Sequence, residues 1–363
     1  MAAIASGSFS STPRWLLYGA SGYTGRMIAE EAVRRGHRPV LAGRSAERVR
    51  PLAESLGLEW RAFGLTDVTA IREAFADCQA VLLTAGPFDL TAPPMIDACL
   101  ALGIPYADIA NEIPIFQLAQ QRDAQARARG VALVPGVGFG VVASNCLVRF
   151  VAEQVPDVAA IQCAIHIAST QGSAGAAETG LTLLEGGGKV IRGGRLTPYR
   201  LGRGARRLRF ADGERIVTPT PLGDLIAAAE TTGAADVTAY SSALPTGATG
   251  AILPLVRRLL WIAPLRRQLL TMTSQGDAAS AAPQAPEPRS QAWAWARGRS
   301  GAIAEAWLDM GDGYRFTAAS SVLAMQRLLA GGLSGALTPA AAFGADFALT
   351  VPGVRRLTQL DVP

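Results

Sequence analysis

An apolar strand that runs directly into a glycine turn constrains the fold of this chain more than any other feature. Residues 15–25 read Trp-Leu-Leu-Tyr-Gly-Ala-Ser-Gly-Tyr-Thr-Gly, with glycines at Gly19, Gly22 and Gly25. This G-x-x-G-x-x-G spacing between a strand and a helix is typical of dinucleotide-binding folds. The first glycine allows the tight turn, the second lets a pyrophosphate approach the backbone, and the third lets the helix lie close to the strand. The remaining cofactor contacts predicted in this turn are Ser21, Tyr23 and Thr24.

The residues after the second predicted strand indicate which dinucleotide binds. That strand covers 39–42 and is followed by Gly43, Arg44 and Ser45. NAD-binding proteins usually carry an Asp or Glu here for the ribose 2′-hydroxyl. Arg44 is instead a fixed cation that suits a 2′-phosphate, and the hydroxyl of Ser45 stands beside it. The sequence therefore predicts NADP(H) as the cofactor.

Strands and helices alternate over about the first 150 residues, which predicts a doubly wound parallel sheet with helices on both faces. Ligands bind such sheets at the carboxyl ends of the strands. Asp67 lies beyond the third predicted strand and is a predicted cofactor contact, although it also fits a helix cap. The loop after the fourth predicted strand adds further cofactor contacts, namely Ala85, Gly86, Pro87 and Phe88. A glycine-rich third loop and the residues after it supply predicted substrate contacts, namely Gly136, Gly138, Phe139 and Asn145.

The sequence pattern changes after about residue 150, which predicts an α/β protein of two domains. A Rossmann-type domain covers 14–150, and an inserted α+β substrate or dimerisation domain with a largely antiparallel sheet covers 151–330. Residues 1–13 are predicted to be a disordered tail and 273–291 a mobile loop. A C-terminal helical segment, 331–363, is predicted to pack back on the first domain.

Composition limits the classes of function. The 363 residues are 49% hydrophobic and 17% charged, so the chain can bury a sizeable core. A net charge of +5 favours anionic ligands such as dinucleotides or acyl-carrier thioesters. No basic run is interleaved with aromatic residues, so no nucleic-acid partner is predicted. The four cysteines show neither a C-x-x-C pair nor a metal spacing, which predicts no metal site and buried thiols in the cytoplasm.

Motifs spread over nearly the whole chain resemble the saccharopine dehydrogenase-like oxidoreductases, specifically the branch that includes the trans-acting enoyl reductases. In chain order the motifs are 19–25, 43–45, 85–88, Tyr106 to Asp108 with Glu112, 134–139, 221–224, 231–233, and Gly313-Tyr314 with Thr317. The resemblance implies a Rossmann domain, an inserted substrate domain and NADPH as the hydride donor. This chain departs from the family pattern at Asn111, where members often have glycine, and at Gly140, Ala143 and Asn145. These departures leave the substrate open.

The predicted reaction is NADPH-dependent reduction of a C=C bond in an acyl or polyketide-like substrate, either a small molecule or bound to a carrier. Hydride addition at the β-carbon must be followed by protonation of the α-carbon. The candidate acids are Tyr240, Glu178 and Asp224. Each has a structural alternative, as a sheet tyrosine, a solvated helix residue and a helix N-cap respectively. We interpret His166 as structural.

Three other functions stay open at this point. Reduction of a C=N bond is the nearest, and an NADP-sensing regulator without catalysis is another. A phosphorylating aldehyde dehydrogenase is the third, because Cys146 follows Asn145 and the glycine turn is shared. Such an enzyme also needs a histidine far downstream, whereas the two histidines are His37 and His166. We therefore interpret Cys146 as a small buried hydrophobic residue.

Residues 251–272 place arginines among leucines and Trp261, a pattern typical of interfacial helices. Charges and prolines interrupt this segment too often for it to span a bilayer. Peripheral contact with a membrane or an acyl chain is one interpretation, and two short helices packed into the domain are the other. A homodimer through the sheet of the second domain is a further hypothesis.

Overall fold

The computed structural model describes residues 13–168, 187–242 and 289–360. The tail 1–12, the candidate acid Glu178, the segment 251–272 and most of the predicted loop 273–291 lie outside these ranges. Peripheral membrane contact through 251–272 therefore stays a prediction. Dimerisation and cytoplasmic location stay predictions as well. Within the described ranges, no helix is both long enough and apolar enough to cross a membrane.

Strands and helices alternate through the first domain, except that two consecutive helices separate its fifth strand from its sixth. Its elements are β1 Trp15–Tyr18, α1 Tyr23–Arg34, β2 Val40–Gly43, α2 Ala46–Leu56, β3 Trp60–Ala62, α3 Val68–Phe75, β4 Ala80–Leu83, α4 Phe88–Leu102, β5 Tyr106–Asp108, α5 Ile113–Gln121, α6 Asp123–Ala128, β6 Ala132–Val134 and α7 Phe139–Ala152.

The rest of the described chain is mainly strands, with a few helices. These elements are β7 Val158–His166, β8 Gly188–Arg192, β9 Arg195–Tyr199, β10 Arg206–Phe210, β11 Gly213–Pro219, α8 Asp224–Thr232, β12 Asp236–Ser241, β13 Ser290–Gly298, β14 Ile303–Met310, α9 Gly313–Leu329, β15 Gly335–Ala336, α10 Pro339–Phe343, a 3₁₀ turn Phe347–Thr350 and β16 Arg355–Leu357.

The first sheet is parallel throughout, as predicted. Its strand order is β15-β6-β5-β4-β1-β2-β3, and its direction of progression reverses between β1 and β4. Every residue of β1, β2 and β4 is buried, because helices cover both faces and leave the strands continuously apolar. The reversal point opens a crevice at the carboxyl ends of β1 and β4, where ligands bind in folds of this kind.

The second sheet is mixed, with antiparallel pairing at most positions as predicted. Its order is β10-β11-β12-β7-β13-β14-β16, and the β8–β9 hairpin branches from β12. The exception is the pair β7 and β12, which runs parallel. Side chains alternate across this sheet, so Ile161 and Cys163 of β7 join the large core, whereas Ala164 belongs to a separate cluster on the opposite face.

Helix α7 belongs to both domains, so the predicted boundary at residue 150 falls inside it. The helix packs against β7, β13 and β14 of the second sheet and follows directly from β6 of the first. Ten of its residues are buried, because apolar elements surround it on nearly all sides. The segment after α9 is less helical than predicted, since β15 joins the first sheet and β16 joins the second. Both strands form because each meets an unpaired sheet edge.

Candidate active site

The glycine turn between β1 and α1 is closely packed at its first and third glycines. Gly19 has φ +90°, and a Cβ atom on it would lie 2.7 Å from the Ala85 nitrogen. A Cβ atom on Gly25 would overlap the carbonyl oxygen of Gly19, so the third glycine allows the helix to lie against the turn. Gly22 differs, because the nearest atom to a Cβ there is the Gly19 oxygen at 3.3 Å. The space beside Gly22 and the N-terminus of α1 therefore suits a pyrophosphate.

Arg44 lies at the carboxyl end of β2 with its side chain exposed. Burial raises the pKa of the Tyr18 hydroxyl and the charge of Arg44 lowers it, so this arginine lies close to the end of β1. Ser45 is the N-cap residue of α2, and its hydroxyl makes no capping hydrogen bond. Asp67 caps α3, where its carboxylate accepts from the backbone nitrogens of Thr69 and Ala70 at 2.9 and 3.1 Å. Asp67 therefore acts as the N-cap of α3, which is the alternative interpretation of this residue.

A cavity of about 290 Å³ lies at the carboxyl edge of the first sheet, between the two domains. Three predicted regions contribute to its wall, with residues from the second domain closing the opposite side. The lining residues are Thr24, Thr84, Gly86, Phe88, Ile109, Ala110, Asn111, Glu112, Gly136, Gly138, Phe139, Gly140, Val141, Ile165, Ile167, Gly313, Tyr314 and Thr317. A larger opening of about 560 Å³ beside α1 and α9 has none of the predicted site residues in its lining.

Tyr314 connects this cavity with the glycine turn. Its ring contacts that of Tyr23 edge-on, with 4.9 Å between the ring centroids. Its backbone nitrogen donates to the Asp312 carboxylate that caps α9, at 2.9 Å. Thr317, one turn further along α9, accepts from the Phe139 nitrogen at 3.0 Å. Helix α9 therefore fixes the third glycine-rich loop relative to the first.

Asp108 fixes the third loop from the other side. This fully buried carboxylate accepts from the backbone nitrogens of Ala110 and Gly136 and from the Tyr106 hydroxyl, each at 2.9 Å. Burial raises the pKa of Asp108 to about 6, and the three hydrogen bonds act against this rise. Asp108 was visible in the sequence only as part of a family motif, and its structural partner Gly136 lies 28 residues away.

Asp224 lies directly behind the wall of the cavity. Its N-cap neighbour is Gly223, so Asp224 is the first helical residue of α8 and not the cap. The Ser144 hydroxyl donates to its Oδ1, and the side chain is buried. Burial raises the pKa of Asp224 to about 6, while the nearby Ser144 hydroxyl and Asn111 amide act in the opposite direction. Asn111, unlike Asp224, is part of the cavity lining.

Tyr240 and His166 lie on the face of the second sheet that points away from the cavity. Strand alternation places Tyr240 in the cluster on the opposite face, where the Arg206 guanidinium lies 5.6 Å from its ring centroid. His166 Nδ1 is 2.7 Å from the Ser242 hydroxyl, and its ring lies near that of Phe210. Burial raises the pKa of Tyr240 and lowers that of His166. The structural alternatives for both residues therefore describe them better than an acid role.

Asn145 does not contact the cavity, in contrast to its prediction as a substrate contact. Its Nδ2 donates to the Ala227 oxygen at 3.0 Å and to the Thr231 hydroxyl at 2.9 Å, and its Oδ1 accepts from the Ala340 nitrogen at 2.9 Å. The side chain thus ties α7 to α8 and α10. The neighbouring Cys146 is fully buried, and burial raises the pKa of its thiol to about 12, which disfavours a nucleophilic thiolate.

Comparison with known proteins agrees with a dinucleotide-binding first domain. Residues 19–105 match a family model described as NAD(P)H-binding. The chain is 32% identical over 139 residues to the trans-acting enoyl reductase of Mycobacterium tuberculosis and 33% identical over 138 residues to that of Mycobacterium leprae. Each alignment covers 36% of this chain and 33% of the relative, so the similarity spans about a third of the length of these curated proteins.

The solved structure of saccharopine dehydrogenase (L-Glu forming) from Saccharomyces cerevisiae has the same fold. It superposes with a TM-score of 0.63 at 14% identity, covering 96% of this chain and 100% of that one. Fold and site together define a two-domain protein whose first domain belongs to the NAD(P)H-binding class. More particularly, the three findings support the resemblance to the saccharopine dehydrogenase-like oxidoreductases and their trans-acting enoyl reductase branch.

Proposed function

We propose that this protein is an NADPH-dependent reductase of a C=C bond conjugated to a carbonyl group, in an acyl substrate. The observation that carries the proposal is the continuity of the open glycine turn with the cavity, since Thr24 of that turn is also a cavity residue. The names of the similar mycobacterial proteins favour an enoyl substrate, although they match over only about a third of their length.

The residues present fit a dinucleotide along this edge of the sheet. The free space beside Gly22 and the N-terminal nitrogens of α1 would hold the pyrophosphate. Gly86 and Phe88 after β4, together with Gly138 and Phe139, would enclose the nicotinamide half. When bound, NADPH supplies the hydride, and the reaction is a two-electron reduction in which the β-carbon takes hydride, the α-carbon takes a proton and NADP⁺ is left.

The exposed side chain of Arg44 supports the preference for NADPH. It stands at the end of β2, where the adenosine ribose lies in dinucleotide-binding folds. A guanidinium binds a phosphate through two parallel hydrogen bonds, which a 2′-hydroxyl cannot match. We therefore propose that Arg44 holds the 2′-phosphate, with Ser45 next to it.

The cavity offers new candidates for the protonating group. Among the described residues that line it, Glu112 and Tyr314 carry side chains that exchange protons. Glu112 accepts from the Asn111 nitrogen at 2.8 Å, which holds its carboxylate at the cavity wall. Tyr314 also lines the cavity, with its ring against that of Tyr23. We propose these two residues as proton donors in place of Tyr240 and Asp224, while the third candidate, Glu178, lies outside the described residues.

The test of cofactor choice is a pair of titrations with NADPH and NADH, followed by energy transfer from tryptophan to the dihydronicotinamide. We expect Arg44→Ala to weaken NADPH binding by about 1.5–3 kcal/mol, roughly ten- to a hundredfold, because a charge-assisted contact is lost. NADH binding should change little. Arg48→Ala, an exposed arginine of α2, is the matched control. Equal weakening of both cofactors by Arg44→Ala would contradict the proposed phosphate contact.

The test of the reaction is oxidation of NADPH in the presence of S-crotonyl-N-acetylcysteamine, a short enoyl thioester. The expected product is the saturated butyryl thioester, identified by mass spectrometry with one deuterium from a deuterated cofactor. NADPH binding without reduction of this or longer enoyl thioesters would favour the non-catalytic NADP-sensing alternative.

A further inference from the structure

Two glycines leave room for a single amide side chain at the wall of the cavity. A Cβ atom on Gly140 would lie 2.6 Å from Nδ2 of Asn111, and one on Gly223 would lie 3.0 Å from its Oδ1. Gly140 lines the cavity, whereas Gly223 lies behind the wall at the start of α8. The Asn111 amide is therefore confined with its nitrogen on the cavity side and its oxygen on the buried side.

The buried side of this amide lies next to Asp224. The Asp224 side chain is 1% exposed, and its Oδ2 has no hydrogen-bond partner within the described ranges. Oδ1 of Asn111 is also buried and lacks a partner there. Asn111 lies close enough to Asp224 to affect its pKa, and the unpartnered acceptor atoms on the two side chains are unfavourable when Asp224 is ionised. A proton on Oδ2 of Asp224 would supply the missing donor, and burial of a carboxyl favours its neutral form.

We propose that Asn111 is the polar anchor for the carbonyl oxygen of the substrate, and that Asp224 is the residue that positions it. Below about pH 6, where Asp224 is neutral, it donates to Oδ1 of Asn111, which leaves the Nδ2 hydrogens directed to the cavity. The inference rests on the proposed function, because the carbonyl oxygen gains negative charge when hydride adds to the β-carbon. A fixed N–H donor stabilises that charge.

The residue types at these positions agree with the anchor. Most of the other lining residues are apolar or glycine, and Thr84 and Thr317 already donate to the backbone oxygens of Tyr18 and Gly313. Asn111 is therefore well placed to provide a neutral donor to a carbonyl oxygen.

The direct test is infrared spectroscopy of S-crotonyl-N-acetylcysteamine labelled with ¹³C at the carbonyl carbon. The probe is bound to the whole protein at about pH 5, below the pKa of Asp224, together with NADP⁺, which cannot supply hydride. We expect the C=O stretch to fall in frequency on binding to the unchanged protein, and Asn111→Ala to remove most of that fall. Asn111→Ala should also lower kcat/KM for this probe at least about tenfold, mainly through kcat, with NADPH affinity unchanged.

The positioning role is tested by two substitutions of Asp224. Asp224→Asn keeps a donor opposite Oδ1 of Asn111, so we expect it to retain the frequency shift and most of kcat. Asp224→Ala removes the donor and should behave like Asn111→Ala. Gln154→Ala, which removes an exposed amide that does not line the cavity, is the control and should leave the shift in place. If Asp224→Ala does not fold, the comparison of Asp224→Asn with Asn111→Ala decides the matter.

The outcomes separate this inference from the proposed function. A shift that survives Asn111→Ala overturns the anchor. Loss of the shift in Asp224→Asn overturns the positioning role of a neutral Asp224. Reduction of the probe by the unchanged protein without any carbonyl shift contradicts the inference and leaves the reductase proposal standing. A protein that binds NADPH but neither binds nor reduces the probe contradicts both.

Discussion

Two glycine-rich turns lie at the same edge of the first sheet, yet their glycines leave space for different neighbours. In the turn after β6, a Cβ atom on Gly136 would press on Phe116 and Val141, and one on Gly140 would press on Asn111. The protein's own side chains occupy that space. In the turn after β1, a Cβ atom on Gly22 would have no side chain of the described residues within 4 Å, apart from its two chain neighbours.

The difference shows that a run of glycines has more than one physical cause. Gly19 and Gly25 are needed for close packing of backbone on backbone, whereas Gly22 leaves a free surface for a ligand. The turn after β6 is held by side chains, with the Asp108 carboxylate on one side and the Thr317 hydroxyl on the other. We therefore expect substitutions in the first turn to separate folding from cofactor binding, and those in the second to affect packing.

The largest effect is expected from Gly25→Ala. The added methyl group would overlap the Gly19 carbonyl oxygen, so α1 must move away from the turn. We expect a loss of roughly 3 kcal/mol or more in the free energy of unfolding, since backbone rather than a flexible side chain must shift. Urea denaturation measures the loss. Gly64→Ala is the control, because the nearest atom to its Cβ is the Thr66 hydroxyl oxygen at 3.9 Å. Equal stability of the two variants would contradict the packing role of Gly25.

Gly22→Val should abolish NADPH binding without destabilising the protein. Gly22 has φ −74° and ψ 164°, a conformation that valine adopts readily, and little touches it. The branched side chain would fill the space proposed for the pyrophosphate. We expect affinity for NADPH to fall by more than about a hundredfold while the melting temperature of the free protein is unchanged. Retained binding would mean that the open side of Gly22 does not face the cofactor.

A pH-dependent effect, which appears only above about pH 4, is expected from Asp224→Asn, behind the second turn. The pKa of Asp224 is about 6 in the folded protein, above the usual value of 3.8. Because the folded pKa is raised, its contribution to stability is fully present below about pH 4 and is lost as the pH rises through 6. We expect the unchanged protein to lose roughly 3 kcal/mol relative to Asp224→Asn between pH 4 and 7.5. Denaturant unfolding of both proteins across this range measures it, and parallel pH profiles would argue against a buried titrating carboxyl.

The smallest effect is expected from Gly138→Ala in the second turn. A Cβ atom here would lie 3.2 Å from the Thr317 methyl group and 3.4 Å from Ile109, which both need to yield slightly. We expect a loss of about 1 kcal/mol in stability and only a small loss of NADPH affinity, because one methyl group changes little at the wall beside the nicotinamide half. A strong loss of NADPH binding in this variant would contradict the different roles assigned to the two turns, cofactor binding for the first and packing for the second.

Local patterns in the sequence were sufficient to predict the fold of the first domain. The strand, the three glycines and Arg44 all fall within about thirty residues, and the alternation of elements predicts the parallel sheet. The cavity wall was harder to predict, because Ser144 and Asp224 meet across 80 positions, and Asp108 meets Gly136 across 28. No local spacing encodes such contacts. Tyr240 illustrates another limit, since alternation on a strand is readable but the face that borders the cavity depends on how the sheet packs.

The two-residue strand β15 has a consequence for the order in which the protein can fold during synthesis. It pairs with β6 although it lies roughly 200 residues further along the chain. Until the ribosome has made that segment, the edge of β6 has no partner, and exposed strand edges are sites of aggregation. A fragment that ends after α7 would leave this edge open and also lack α9, which packs against α1. The dinucleotide-binding half is therefore expected to express poorly by itself.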